Sequence, residues 1–287
     1  MIWVVNSELY DRSIFRLSME VCFRDNGIQQ YALSDQTKIT GVSANSWGEF
    51  CLLLEETGDN SPIVVSPELI TYANEPFVDL VNNRVLIEER IERVLEFSKF
   101  REGTLFILGT PLFVENEKPR NSALLIQNGG IVGVTNKRSG ATKMENESFD
   151  LVPEEPPLLI PGTKTALLIC ADLPTACLCL HPDDRFFERT LELANRRQLI
   201  GKKVSLLPDE ATSLLVIACW GVGGSCVKRD KANEYYEYQL RNIVWNLMRE
   251  TRIKEVVVVD RVPKGVPAET KDLTPDIPYN GLFRKTC

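Results

Sequence analysis

Thr165-Ala-Leu-Leu-Ile-Cys-Ala-Asp-Leu-Pro174 is the stretch on which the reading of this chain turns. Its opening run, Thr165 to Ile169, carries no charge and has the length of a strand buried on both faces. The run delivers Cys170 at its end, just ahead of a polar break. In α/β proteins a strand end facing a loop is where reactive groups stand, because the sheet aims the side chain and the loop leaves room for a ligand. A thiol there is a candidate nucleophile only if a neighbour takes its proton, since the thiolate is the reactive form and a free thiol titrates near pKa ~8.5. The plainer reading is a structural cysteine in an apolar strand. The residues upstream decide between the two.

Working outward, Pro62-Ile-Val-Val-Ser66 reads as a strand running straight into Pro67-Glu68. The spacing of Ile87, Ile91, Val94 and Leu95 predicts a helix over 76–102, stopped by Gly103. Thr104 to Leu108 is the next strand. Asn121 to Gln127, the turn Asn128-Gly129-Gly130, and Ile131 to Thr135 form a hairpin that ends at Asn136-Lys137. Residues 138–163, polar and proline-rich, read as one long loop carrying Glu145 and Glu147. Further out, Met1 to Val5 reads as a strand, 8–22 as a helix, 26–45 as a hairpin or irregular connection, and Trp47 to Glu56 as a helix. Beyond Cys170 the pattern predicts a helix from Pro182, a strand over Ser213 to Cys219, a helix over about 230–251, a strand over Glu255 to Val259 and an irregular tail from about 261 to 287. Strands alternate with helices throughout, with no repeat and no linker, so the expectation is one α/β domain spanning 1–287.

Composition narrows the function. The chain has 287 residues, 44% of them hydrophobic and 25% charged, with a net charge of −7. That balance argues against a general binder of nucleic acid or anionic membranes. No apolar run reaches the roughly 18 residues of a membrane helix, and the start lacks a basic stretch followed by an apolar core, so no signal peptide is expected. The eight cysteines are read as free thiols in a cytoplasmic protein. The single histidine, His181, excludes a multi-histidine metal site. No metal or cofactor is expected.

Glu68, Lys137 and Cys170 each stand at the end of an expected strand, with Glu145 on the loop between the last two. Singly, a glutamate or lysine after a strand is most often a solvated surface charge. Together these groups supply what thiol-based acyl transfer needs without histidine. A carboxylate can take the thiol proton and return it to a leaving amine, a lysine can favour the thiolate and hold an oxyanion, and a second carboxylate can orient the lysine.

On these residues the sequence resembles the nitrilase, or carbon–nitrogen hydrolase, superfamily. The pieces that carry the resemblance are Pro67-Glu68 after an apolar strand, Asn121-Ser-Ala-Leu-Leu-Ile with its glycine turn leading to Asn136-Lys137, and Leu168-Ile-Cys-Ala-Asp172. The resemblance extends from about residue 60 to residue 220, and more loosely to the ends. The resemblance implies a four-layer α-β-β-α sandwich that pairs into a homodimer or larger homo-oligomer. It implies attack by Cys170 on the carbon of a small amide or nitrile, with Glu68 as acid and base. Lys137 and the Ala171 amide would hold the oxyanion, and Glu145 would position Lys137 and substrate. Apart from the resemblance, the Trp220 turn is a candidate pocket wall by its place after the strand beyond Cys170. Arg138-Ser-Gly140 departs from the hydrophobic or aromatic anchor usual after the lysine, and the first 60 residues and 174–209 match poorly, so the substrate is not read from these motifs. Glu147 competes with Glu145 for the second carboxylate role, and spacing favours Glu145.

Alternatives stay open at this level. Acyl transfer to an amine, or a non-catalytic binding module, would use the same fold. Cys177, Cys179, Cys219 and Cys226 lack the spacing of a zinc ribbon or finger. Trp220-Gly-Val-Gly-Gly-Ser225 fails the dinucleotide pattern because Cys226 stands where the last glycine would be. A Cys170–His181 pair is the weaker nucleophile arrangement.

Overall fold

The computed structural model describes residues 16–23, 26–58, 61–72, 80–114, 118–140, 143–173, 207–219, 240–241, 244–245, 247–248, 251–261 and 280–286. The first half of the chain supplies β1 (Arg16–Phe23), β2 (Gly27–Ala32), β3 (Lys38–Ser43), α1 (Trp47–Glu56), β4 (Ile63–Val65), α2 (Arg84–Lys99), β5 (Leu105–Leu112), β6 (Arg120–Gln127) and β7 (Gly130–Asn136). Then come α3 (Lys143–Ser148), β8 (Thr165–Ile169), β9 (Ser213–Ile217), β10 (Glu255–Val259) and β11 (Asn280–Thr286).

The strands form two sheets, ordered β2-β3-β4-β5-β6-β7 and β1-β11-β10-β9-β8. The pairs β3–β4, β4–β5, β8–β9 and β9–β10 are parallel and the rest antiparallel. Alternation along each strand sorts its side chains between two cores. Ile63, Val65, Leu105, Ile107, Ala123 and Leu125 face the cluster shared with the other sheet, whereas Val64, Phe106, Leu108, Leu124 and Ile126 pack with Phe50 and Leu54 of α1 and Ile87, Ile91 and Val94 of α2. In β10, Val259 lies against Gly41 of β3, so Glu255 and Val257 share that inward face and Val256 and Val258 point away. Leu240, Val244, Leu247 and Met248, helical and buried, join the core of the five-stranded sheet. The result is two sheets face to face with helices outside, the α-β-β-α arrangement. Among the described residues no helix is long and apolar enough to cross a membrane.

Helix α1 starts where its sequence asks, with Ser46 accepting from the Glu49 amide at 3.1 Å. Helix α2 is shorter than its periodicity predicts, beginning at Arg84 after Asn83, and 73–79 lie outside the described residues. Three expectations are corrected. Residues 16–22 belong to a strand, not a helix: Leu17, Met19, Val21 and Phe23 alternate with Arg16, Ser18, Glu20 and Cys22, the period of a half-buried strand. The tail is not irregular throughout, because Asn280–Thr286 pairs antiparallel with both β1 and β10. Residues 138–163 are not all loop, since α3 forms within them. The expected elements at 1–5 and from 182, and the zinc, phosphate-turn and histidine candidates at Cys177, Cys179, Trp220 to Ser225, Cys226 and His181, lie outside the described residues.

Glu255 links the sheets on their inward side. It is 3% exposed, accepts from the Ser34 amide at 2.9 Å and hydroxyl at 2.9 Å, and pairs with Arg284 of β11 at 2.5 Å. Ser34 is exposed and Arg284 partly so, which lets water replace some of what a truncation removes. Glu255→Ala is expected to lower unfolding stability by about 1–3 kcal/mol, measured by urea titration. A change below about 0.5 kcal/mol would mean that solvent substitutes fully for the carboxylate.

Candidate active site

Each candidate side chain stands where a strand gives way to a turn. β4 ends at Val65, and the chain passes through Ser66 and Pro67 to Glu68, with Leu69 at a left-handed φ of 54°. The turn lies so close to β5 that a Cβ on Gly109 would come within 2.3 Å of the Pro67 carbonyl oxygen and 2.8 Å of the Glu68 Cα. Only glycine leaves that space. The Gly109 amide donates to Ser66 Oγ at 2.8 Å, and the Ser66 amide donates to the Ile107 carbonyl at 2.9 Å. The Glu68 amide reaches the opposite sheet, donating to the Ala218 carbonyl at 3.3 Å.

Lys137 follows β7 directly, its amide donating to the Asn121 carbonyl at 2.7 Å. Cys170 follows β8, held at a left-handed φ of 45° with its amide on the Ile217 carbonyl at 2.8 Å. A non-glycine residue in that region is uncommon and repays attention. The thiol lies 3.8 Å from the Cys219 carbonyl oxygen. Glu68 and Lys137 thus come from one sheet and Cys170 from the other.

Lys137 is 1% exposed, and its Nζ donates to Glu68 Oε1 at 2.6 Å and also to Glu145 Oε1. Asn121 Nδ2 bridges the same two carboxylates, at 2.7 Å to Glu68 and 3.3 Å to Glu145. The Asn121 Oδ1 is buried without a hydrogen-bond partner. The short helix α3 explains which glutamate meets Lys137. Residues two apart on a helix face away from each other, so Glu145 meets Lys137 while Glu147 lies on the exposed side.

A second buried pair fixes the two loops against each other. Asp172 accepts from Arg138 Nη1 at 2.9 Å and from the amides of Arg138, Ser139 and Ile169 at 2.9, 3.0 and 3.3 Å. The residue after Lys137 is thereby tied to the second residue after Cys170. Arg138, which departs from the hydrophobic anchor, serves as this tie. Ala171 is half-buried beside Cys170, and Trp220 lies outside the described residues.

The charges act on one another. Burial works against the Lys137 ammonium, but Cys170, Glu145 and Glu68 outweigh it and hold the lysine well above its ordinary value. Burial raises Glu68, and Lys137 only partly offsets this. Burial also pushes the Cys170 thiol well up, the Glu68 carboxylate adds to that, and Lys137 pulls against both. Cys219 is pushed up to about 12 by burial. The site therefore rests as a thiol beside an ammonium, with a carboxylate that takes up a proton more readily than usual. Among the described residues no group of three or more His, Cys, Asp or Glu side chains could hold a metal ion.

Asn121, Asp172, Arg138 and Gly109 are the residues that pattern reading passed over. Asn121 and Asp172 stood inside the quoted motifs, where a polar residue next to apolar ones was the available signal. Nothing in the sequence marks Gly109, because its role is a contact between β5 and the turn that follows β4.

Gly109→Ala is expected to destabilise the fold by about 1–3 kcal/mol, since the obstructing atoms are backbone. Thermal unfolding with retained Tm would show that the Glu68 turn can move. The Glu68 shift also has a sign in stability. A carboxylate raised on folding is fully stabilising below its unfolded pKa of about 4.3 and loses that contribution as pH rises through its folded value. Glu68→Gln is therefore expected to gain stability relative to wild type as pH rises through that window. A relative loss over the same window would mean that Lys137 outweighs burial.

No family model matches the chain, and no curated protein matches it in sequence. Solved structures do resemble it. A carbon–nitrogen hydrolase from Helicobacter pylori G27 matches with TM-score 0.51 at 15% identity, over 90% of this chain and 86% of that one. A mutant of the amidase from Nesterenkonia sp. AN1, showing covalent addition of the acetamide moiety of fluoroacetamide at the active-site cysteine, matches with TM-score 0.50 at 12% identity, over 90% and 88%. A glutamine-dependent NAD+ synthetase from Acinetobacter baumannii matches more loosely, with TM-score 0.45 at 16% identity over 77% of this chain, which spans 34% of that longer protein. Identities this low speak to architecture alone, and the architecture of this chain is the nitrilase, or carbon–nitrogen hydrolase, fold.

Proposed function

We propose that the chain is a cysteine-dependent hydrolase of non-peptide carbon–nitrogen bonds, acting on small amides in preference to nitriles. The observation that carries the reading is the buried Lys137 ammonium shared by Glu68 and Glu145 and coupled electrostatically to Cys170. A solvated surface lysine needs no such arrangement, and a buried one surrounded by acids and a thiol is suited to holding charge that appears during reaction.

In the reaction the Cys170 sulfur attacks the amide carbon while Glu68 takes the thiol proton. The sulfur–carbon bond forms as the carbonyl electron pair moves onto oxygen, where Lys137 and the Ala171 amide hold the oxyanion. Collapse breaks the carbon–nitrogen bond, and Glu68 returns its proton to the leaving amine. Water then attacks the thioester, giving one proton to Glu68. The carbon–sulfur bond breaks, the thiol regains that proton and the acid departs. Lys137 is a poor shuttle here, because its proton is held tightly and its charge is what the oxyanion needs. Glu68, raised by burial, is better matched to the task. Glu145 orients Lys137 throughout. The same reading includes a single domain, a cytoplasmic location and assembly into a homo-oligomer, which sedimentation would test.

Small aliphatic amides are the first substrates to try, given the acetamide adduct in the Nesterenkonia amidase. Intact-mass measurement after brief exposure should show a thioester on Cys170, and Cys170→Ala should abolish both adduct and turnover. Unchanged turnover in Cys170→Ala would sink the proposal. Glu68→Gln is expected to keep substrate binding and lose about 10²–10⁴-fold in kcat, and Lys137→Met to lose about 10²–10³-fold through the oxyanion. Near-normal turnover by folded Glu68→Gln would assign the proton to another carboxylate. Free acid is the expected product. Its replacement by hydroxamate on adding hydroxylamine, with no acid in its absence, would mark an amine acceptor instead of water.

A further inference from the structure

Arg261 is 2% exposed and heads the largest fully buried side chains. Among the described residues it pairs with no carboxylate. Its Nε donates to the Glu68 carbonyl at 2.9 Å, its Nη2 to the Leu69 carbonyl at 3.2 Å, and its Nη1 is buried without a partner. Burying a guanidinium this way is costly unless its surroundings compensate. Here the compensation comes from two successive main-chain carbonyls of one turn. That turn presents Glu68, and Leu69 within it holds the left-handed φ.

The root of the arginine is fixed from both sheets. The preceding Asp260 donates its amide to Asn280 Oδ1 at 2.7 Å, and its carbonyl accepts from Ser43 Oγ at 2.6 Å. Asn280 opens β11 and Ser43 closes β3, so the arm that reaches the Glu68 turn starts from a rigid junction.

We propose that Arg261 is a positioning residue that clamps the left-handed turn at Glu68 and Leu69, keeping the Glu68 carboxylate on Lys137. The proposal rests on Glu68 being the proton carrier of the reaction above. The planar fork is essential to it, because two N–H groups in fixed geometry meet two carbonyls at once. A lysine is a point donor that cannot reproduce this.

The first readout is taken at Cys170 itself and needs no substrate, and the second is turnover of a small aliphatic amide. The rate of carboxamidomethylation by iodoacetamide is followed at Cys170 by peptide mass spectrometry as a function of pH, on the full chain, with Tm as the check on folding. The charged groups acting on that thiol are Glu68, Lys137 and Glu145. The Glu68 carboxylate holds the thiol protonated, so Glu68→Gln should move the profile to lower pH. Folded Arg261→Gln should move it in the same direction by less, with Arg261→Lys in between. Amide turnover by Arg261→Gln should fall about 10–100-fold in kcat, with KM changed less than about threefold. A role confined to stability would lower Tm but leave the profile and kcat of the folded protein at wild-type values, and that result overturns the inference. If Arg261→Gln does not fold, Arg261→Lys decides by the same criteria. A profile that does not move in Glu68→Gln itself would instead sink the Glu68 proton relay and this inference with it.

Discussion

The contact between Lys137 Nζ and Glu68 Oε1, 2.6 Å long and sealed from water, is the interaction on which the rest of the structure depends. Taking two ions out of water costs several kcal/mol for each, and removing either partner strands the other. Such a pair persists only where neighbours satisfy its remaining valences. Glu145 and Asn121 do so here, giving Lys137 a second carboxylate and each carboxylate a second donor. The arrangement is unbalanced toward negative charge, with two carboxylates on one ammonium and a thiol close by. That imbalance keeps the lysine protonated and discourages the thiolate.

Holding those charges in place falls to the junction of the two sheets. Glu68 leaves the six-stranded sheet through a turn packed against Gly109, and its amide crosses to Ala218 beyond β9. Cys170 leaves the five-stranded sheet in a left-handed conformation, its amide donating a hydrogen bond to the Ile217 carbonyl. The Arg138–Asp172 pair then binds the loop after Lys137 to the loop after Cys170. Each cross-link is buried and joins groups distant in sequence. The site therefore forms only as the sheets dock, and the hydrophobic core between them is the same core that sets its geometry.

Legibility tracked the range of the interaction. Trp47–Glu56 was readable to the residue because its apolar run and the polar, glycine-containing stop after it are local signals. The hairpin β6–β7 was readable for the same reason, through its glycine turn. β1 and β11 were not. Arg16–Phe23 alternates, but eight residues are short enough to fit a loosely spaced helical face as well, and Asn280–Thr286 is a strand because β1 and β10 flank it, a fact no local window contains. Helix α3 was hidden within a polar, proline-rich stretch where length and composition argued for loop.

For the site, the order of residues settled which side chains were on offer and that three of them stand at strand ends, since burial and alternation are written along the chain. It also favoured Glu145 over Glu147 by spacing, and the helical turn supplies the physical reason, because positions two apart point in different directions. What only the tertiary structure decided is the company those residues keep. Asn121 as the bridge, Asp172 and Arg138 as the tie, Gly109 as the space and Arg261 as the clamp all act across sheet or loop boundaries. Their effects depend on distances of a few ångströms between segments far apart in the chain, and such distances exist only once both sheets have packed.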